Sequence, residues 1–324
     1  RRARGVDLAA PPCANLRRCG RVVSVDVDDH GREIVHATHA QYSAAAQLGK
    51  QGGATMAAPT ASRALLRKLM SAPPIVGAPG AGDPLTARLI ESLGFGAVHV
   101  SGSIAHRTSG YSDAGILTMT EMVDRIAAMD AAVDLPLITD ADTGFGGPLN
   151  VQHTVRGYEK AGVQAIQIED QQFPKKCGHS LGRLVVPLED MATKIKVAVG
   201  ARESEDFLII ARTDSRTTLG LDEALRRGEA FANAGADVIF IESPETVEEM
   251  KIICANFDKP CFANMVEGGR TPLLSAKDLE EVGFSIGIFP GTGFLATAKA
   301  LKDAYGALKA DGISNAVSER LFPF

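Results

Sequence analysis

Eight short apolar runs, each closing on polar or turn-forming residues, recur along the chain: IVGAPG (75–80), AVHVSG (97–102), LPLITDAD (135–142), AIQIED (165–170), FLIIARTD (207–214), VIFIES (238–243), PCFANM (260–265) and SIGIFP (285–290). Each is rich in Val, Ile, Leu or Phe, the pattern of a strand buried on both faces. Between them lie segments with helical spacing, such as TMTEMVDRIAAMDAAV, LNVQHTVRGYEKAG and LDEALRRGEAFANAG, and FLATAKALKDAYGALKADG follows the eighth run. Several end at Gly, and Thr246 with Glu249 reads as a capping box. Eight β-then-α units predict an α/β fold of the (β/α)8 TIM-barrel type over residues 56–324, with an extra N-terminal helix and a C-terminal helical extension. A doubly wound open sheet is the alternative, but APGAGDP does not match its G-x-G-x-x-G turn.

Residues 1–55 stand apart from this pattern. They carry eight Lys/Arg against five Asp/Glu, a net +3, while the remainder carries 26 against 34, a net −8. The Arg-rich start has no apolar stretch of a secretory signal, and we expect 1–55 to be a leader, tag or upstream translation outside the domain. The acidic body and the absence of Trp argue against a nucleic-acid partner. No run approaches the length of a membrane span, so no membrane partner is expected. The cysteines are Cys13, Cys19, Cys177, Cys254 and Cys261; an odd number without C-x-x-C spacing indicates reduced thiols, hence a cytoplasmic location, or an organellar one if the leader is a transit peptide.

Active sites of barrels sit at the C-terminal ends of the strands. Here those ends carry Ser101-Gly102, Asp140 and Asp142, Glu169-Asp170, Arg212 with Asp214, Glu242, Asn264 with Glu267, and Pro290. A packed core needs none of these acids. Together they describe an acidic mouth suited to Mg²⁺, or Mn²⁺, held by Asp140 or Asp142, with Glu169 and Asp170 on the metal's waters. Strand alternation is expected to put Asp140 and Asp142 on one face. Arg212 offers a planar fork, and the Ser101-Gly102 turn offers backbone N–H groups, to a small anionic carboxylic acid. After the fourth run, Cys177 lies among Lys175, Lys176 and His179, cations expected to stabilise its thiolate.

DADTGFGGPLNV, IEDQQFPKKCGH, ARTD and ANMVEGGRTPL resemble the isocitrate lyase/phosphoenolpyruvate mutase superfamily over about residues 62–312, and K-K-C-G-H after I-E-D resembles its carbon–carbon lyase members. The resemblance implies a Mg²⁺-dependent lyase cleaving a 2-hydroxy di- or tricarboxylic acid of the alkylmalate or methylisocitrate type. In that reading Asp140, Asp142 and Glu169 hold the metal, with Glu242 beside it. Ser101, Gly102 and Arg212 take the 2-oxy-carboxylate end. Lys175 to His179 form a closing loop with Cys177 as general acid/base, and Asn264 with Gly178 and His179 holds the second carboxylate. Ser103, Asp113 and Pro290 complete the substrate-facing set. The family also implies a homo-oligomer, a tetramer built by exchange of C-terminal helices.

Departures from the family pattern fall in the second loop, SGSIAHRTSGYSDAG. His99 stands where an aromatic residue is usual, and His106 and Arg107 are additions that could face the substrate. Phe262, Met265, Phe289 and Phe294 are expected to set pocket size. The alternatives are a carboxyphosphonoenolpyruvate-type phosphonomutase, an oxaloacetate hydrolase or decarboxylase, and an idle acid-binding barrel. Pro290, where oxaloacetate hydrolases tend to have Ser, weighs against the hydrolase.

Overall fold

The computed structural model describes residues 24–27, 33–36 and 59–322. The chain divides into two units, Arg1–Thr55 and Met56–Phe324. In the first, β1 (Ser24–Val27) and β2 (Glu33–His36) pair antiparallel with Ser24 opposite His36. The expectation of a leader over 1–55 falls otherwise on residues outside the described set.

The second unit opens with α1 (Pro59–Met70) and then alternates strands with helices. The strands are β3 (Val76–Ala81), β4 (Val98–Val100), β5 (Leu137–Asp140), β6 (Ala165–Glu169), β7 (Leu208–Thr213), β8 (Val238–Ile241), β9 (Phe262–Asn264) and β10 (Ile286–Phe289). All pair in parallel in the order β8-β7-β6-β5-β4-β3-β10-β9. A parallel bridge between Ile239 and Cys261, with the Ile239 N–H donating to Pro260 O at 3.0 Å, brings the two ends of that order together. The result is the TIM-type barrel, and its eight strands coincide with the eight apolar runs.

The helices are α2 (Pro84–Ser92), α3 (Gly102–Thr108), α4 (Met119–Asp130), α5 (Pro148–Lys160), α6 (Leu188–Ala201), α7 (Arg216–Leu219), α8 (Leu221–Asn233), α9 (Val247–Asn256), α10 (Ala276–Val282) and α11 (Thr292–Asp311). The short α3 and α7 lie inside strand-to-helix connections and were not separable in the sequence pattern. At α4, Thr118 and Glu121 make a reciprocal capping box. At α9 only half of the expected box forms. Thr246 accepts from the Glu249 N–H at 3.1 Å, but the Glu249 carboxylate turns to the Glu245 N–H at 2.8 Å and to Arg216. A cation within reach outcompetes the backbone of the cap.

Alternation along each strand sorts the core into two shells. Inward residues such as Val76, Ala78, Ile138, Leu208, Ile210, Val238, Phe240, Phe262 and Ile286 fill the barrel, and Leu66 of α1 joins them, with Leu69 and Met70 packed alongside. The extra N-terminal helix therefore packs against the barrel interior. Outward residues such as Val98, Val100, Leu137, Ile166, Ile209 and Ile239 meet the helices. By the same alternation the polar strand ends split: Glu169 and Arg212 continue the inward series, whereas Asp170 and Thr213 face outward. The last long helix, α11, buries none of its side chains, and Leu301, Tyr305 and Leu308 on it are exposed. The C-terminal extension is a 3-10 helix, Asn315–Arg320.

Strands β3 and β10 approach closely at Gly80, where a Cβ would lie 2.2 Å from Pro290 O and 2.6 Å from its Cα. Both atoms are backbone and cannot rotate away. Gly80→Ala is therefore expected to lower stability by about 3 kcal/mol or more, the upper range for overpacking, measured as the shift in thermal unfolding against wild type.

Candidate active site

The strand ends open onto a cavity of about 210 Å³, a size that suits a small acid. Of the residues to which the resemblance gives a metal, substrate or catalytic role, all line it except Gly102 and Asp142. Asp142 instead faces an adjoining cleft of about 730 Å³, and Lys175 forms a wall shared by both.

Arg212 is the centre of the charge network. Its Nε and Nη2 donate to the two Asp214 oxygens, each at 2.9 Å. Nη2 also lies 3.0 Å from Glu242 Oε2, and Nε lies 3.4 Å from Glu169 Oε2. The guanidinium stacks over the Phe240 ring at 5.0 Å. Burial works against its charge, but Asp214, Glu242 and Glu169 outweigh burial and hold the cation firmly protonated. Arg183 backs the network from behind, donating to Asp214 Oδ1 at 2.6 Å.

Asp140 ends β5, and its partner Asp142 lies beyond the strand with φ of 46°. The two carboxylates do come together, but through this left-handed turn and not through the pleat. The Asp142 N–H donates to Asp140 Oδ1 at 2.9 Å. A Cβ at Gly102 would lie 2.6 Å from Asp140 Oδ2 and 3.2 Å from Asp142 Oδ1, so only glycine lets α3 begin against this pair. Lys175 reaches in from the following loop, 2.8 Å from Asp142 Oδ1, and donates to Asp113.

Protonation differs from one carboxylate to the next. Burial alone would raise Asp140, but Lys175 and Arg212 overcome it and the group sits below its ordinary value. Asp142 is raised, burial prevailing over Lys175 with help from Asp140. Glu169 is raised well above the carboxylate range, chiefly by burial, and its Oε1 has no hydrogen-bond partner. Burial also favours the neutral form of Glu242, yet Arg212 keeps it ionised, below its ordinary value.

Three sequence expectations are corrected here. The Cys177 thiol is not tuned downward: burial pushes it above its ordinary value, and the His179 backbone N–H offsets only part of this. The neighbouring cations point elsewhere, Lys175 to Asp113 and Asp142, Lys176 to Gly182 O at 3.0 Å. Cys177 therefore faces the cavity as a protonated thiol. Asp170 does not line the mouth. It faces outward by strand alternation and accepts from Thr213 Oγ1 at 2.6 Å, the Asp214 N–H at 2.9 Å and Arg227 Nη1 at 2.9 Å. His106 does not face the substrate. Its Nδ1 donates to Gly102 O at 2.8 Å and its Nε2 accepts from the Leu117 N–H at 3.1 Å, tying α3 to its own loop. Ser101 caps α3, accepting from the Ile104 N–H at 3.4 Å.

Pocket size is set by other residues than expected. Phe262 packs inside the barrel against Phe240, ring centres 4.7 Å apart, and Met265 is buried in the outer shell. Phe289 points outward, because Ile288 and Pro290 take the inward positions of β10. Of the four expected residues only Phe294 lines the cavity, joined by Ile104, Arg107, Val266 and Leu295. Gln167 was missed as well. It is buried, lines the cavity, and its Oε1 has no partner; its place two residues before Glu169 on β6 was the available signal.

The donor set fits a hard divalent cation. Asp140, Asp142 and the orphaned Glu169 oxygen supply carboxylates on neighbouring strand ends. No cluster of three or more His, Cys, Asp or Glu among the described residues is arranged to hold an ion by itself. A cation that takes one or two carboxylates and completes its shell with water needs no such enclosure.

Fold and site together define a barrel of the enzyme kind, its strand ends opening onto a small cavity lined by a buried ring of charge. The phosphoenolpyruvate phosphomutase family model matches residues 66–309, and the chain belongs to the phosphoenolpyruvate mutase/isocitrate lyase superfamily as an enzyme of the lyase kind. It is 52% identical over 264 residues to a 2,3-dimethylmalate lyase of Eubacterium barkeri, covering 81% of this chain and 91% of the relative. A crystal structure of a 2,3-dimethylmalate lyase matches with a TM-score of 0.77 at 37% identity, covering 81% of this chain and 89% of that one. A phosphonopyruvate hydrolase crystallised with oxalate and Mg²⁺ matches with a TM-score of 0.73 at 32% identity, covering 81% and 92%.

His99 carries a pH signature for this site. It is buried on β4 without a partner on either ring nitrogen, and burial, the largest influence, lowers its pKa to about 4. As pH falls below 6.5 the unfolded chain takes the proton first, so stability present above pH 6.5 is lost on the way down to pH 4. Between pH 7.5 and 5 the loss from this group comes to about 2 kcal/mol. Urea unfolding in EDTA at both pH values should show His99→Phe losing less stability than wild type by that amount.

Proposed function

We propose that the chain is a Mg²⁺-dependent carbon–carbon lyase that cleaves a 2-hydroxy diacid of the 2,3-dimethylmalate type to a 2-oxo acid and a second carboxylic acid. The observation that carries this reading is the protonated Cys177 thiol facing the same small cavity as Asp140, Glu169 and Arg212. Identity of 52% to a 2,3-dimethylmalate lyase supports the substrate class.

Asp140, Asp142 and Glu169 hold Mg²⁺, or Mn²⁺, with Glu242 beside it. Bound there, the cation supplies Lewis-acid polarisation of the 2-oxy group. Arg212, with Ser101, Gly102 and Ser103, holds the carboxylate next to the hydroxyl. Asn264, whose Nδ2 donates one hydrogen to Glu242 Oε2 at 3.0 Å, holds the second carboxylate through the other hydrogen of that NH2 together with Gly178 and His179. Pro290 limits the space beside it, and Lys175 and Asp113 seal the cavity.

Glu169 is ionised at the start beside the bound cation, and the hydroxyl proton passes to Oε2, the oxygen not given to the cation, burial having raised the proton affinity of the group. As the carbon–carbon bond breaks, its electron pair stays on the departing acid as an enolate. Cys177 then delivers its thiol proton to that carbon. A thiol held above its ordinary pKa keeps the proton until the carbanion forms, which suits a general acid. The closed segment excludes water and strengthens these contacts.

Two wider properties follow from the same reading. The exposed Leu301, Tyr305 and Leu308 of α11 support a homo-oligomer, a tetramer by family resemblance. The free thiols Cys177, Cys254 and Cys261 support a reducing, cytoplasmic setting, and among the described residues no helix is long and apolar enough to cross a membrane.

The test is NMR of the protein with Mg²⁺ and 2,3-dimethylmalate, 2-methylisocitrate, isocitrate, oxaloacetate or phosphonopyruvate. Pyruvate is expected from 2,3-dimethylmalate, abolished by EDTA. Turnover of phosphonopyruvate with no hydroxy acid cleaved would overturn the lyase reading. In the same assay Cys177→Ser should fold and melt like wild type while turnover falls by about 10²–10⁴, the usual contribution of a general acid; an undiminished rate would remove Cys177 from the mechanism.

A further inference from the structure

The segment running from Lys175 to Gly182 is fastened over the cavity at three places. Lys175 pairs with Asp113 and Asp142 at its start. Farther along, His179 Nδ1 accepts from the Arg270 N–H at 3.0 Å, and its Nε2 lies 3.5 Å from Glu242 Oε1. Between these two stands a residue that the chemistry above does not use. The hydroxyl of Ser243 donates to Gly178 O at 2.9 Å.

Ser243 is fully buried, and its φ is 61°. That left-handed backbone costs a non-glycine residue free energy and persists only where surrounding contacts hold it. Here the Ser243 N–H donates to Glu242 Oε1 at 2.8 Å, and Oγ lies 3.2 Å from the same oxygen. A hydroxyl has one hydrogen, so Gly178 O and Glu242 Oε1 compete for it. Gly178 lies directly on the charged pair beneath. A Cβ there would be 2.3 Å from Arg212 Nη2 and 2.6 Å from Glu242 Oε2. Where the Gly178 carbonyl is held, the adjoining Cys177 is held too.

We propose that Ser243 is a positioning residue, a latch that keeps the Cys177 segment closed over the cavity through its bond to Gly178 O. The left-handed turn aims the hydroxyl at the segment. Lifting the segment costs that one bond, so the latch holds without locking. The proposal deepens the lyase reading and rests on its assignment of Cys177.

The test uses Ser243→Gly and Ser243→Ala in the full chain. Glycine removes the hydroxyl and relaxes the backbone, so folding is preserved. Alkylation of Cys177 by iodoacetamide is followed by peptide mass spectrometry, with Cys254 as an internal control, beside melting temperature and turnover of 2,3-dimethylmalate. Both variants are expected to alkylate Cys177 about five-fold faster, the factor one ordinary hydrogen bond is worth. Cys254 should be unchanged, Ser243→Gly should melt no lower than wild type, and kcat should fall by a similar factor. Unchanged alkylation in both variants overturns the latch. So does equal acceleration at Cys177 and Cys254 with a lower melting temperature, which marks general loosening. Faster Cys177 alkylation in a protein that cleaves no acid retains the latch and removes the lyase reading; cleavage with unchanged alkylation does the reverse.

Discussion

Everything at the mouth of this barrel depends on one buried cation, Arg212, and the three carboxylates that keep it charged. A guanidinium with little exposure is tolerated only when its donors are satisfied and its charge is matched. Asp214 meets it edge-on with two bonds, while Glu242 and Glu169 approach from the cavity side. Asp214 is in turn fixed by Arg183 and by its N–H to Asp170. Asp170, which reads as a candidate ligand in isolation, is a support for that assembly. The barrel thus devotes the outward side of two strand ends to holding the inward side rigid.

A second consequence is the division of labour among like groups. Four carboxylates stand close together, yet Asp140 and Glu242 are held below their ordinary range while Asp142 and Glu169 are held above it. The difference comes from the balance struck at each group. Burial with like-charged neighbours prevails at Asp142 and Glu169, whereas Lys175 and Arg212 prevail at Asp140, and Arg212 at Glu242. Environments that push similar groups apart are what allow one site both to hold a charged ligand and to move a proton. Cys177 belongs to this scheme. Two lysines in sequence promise a thiolate, but both ammonium groups are committed to oxygen partners, leaving burial to keep the proton on sulfur.

The loop carrying Cys177 also links chemistry to the fold's dynamics. Gln171 pins the far side of Lys176 with a reciprocal pair, Nε2 donating to Lys176 O at 2.8 Å and Oε1 accepting from its N–H at 2.9 Å. The base of the segment is therefore set by the backbone near β6. Its tip rests on side chains from β8 and β9 and on the Arg270 backbone. Its fastening brings residues distant in sequence into one wall of the cavity.

Sequence alone determined the eight strands, their alternation with helices and the residues at the strand ends, because a strand buried on both faces leaves an unbroken apolar run that ends abruptly where the chain reaches water. It also carried the candidate site, since so many acids and an arginine at those ends exceed what a packed core requires. Only tertiary structure decided which way each side chain faced and what it met. One residue of displacement separates Glu169 in the cavity from Asp170 outside it, and Phe289 outside from Ile288 inside. Asp140 and Asp142 converge through a left-handed turn that no local pattern marks. The proton affinity of Cys177 depends on where Lys175 ends up, across the cavity on Asp142 and Asp113. Charges act through space while sequence records only order, so the chemistry's direction was settled by the folded chain.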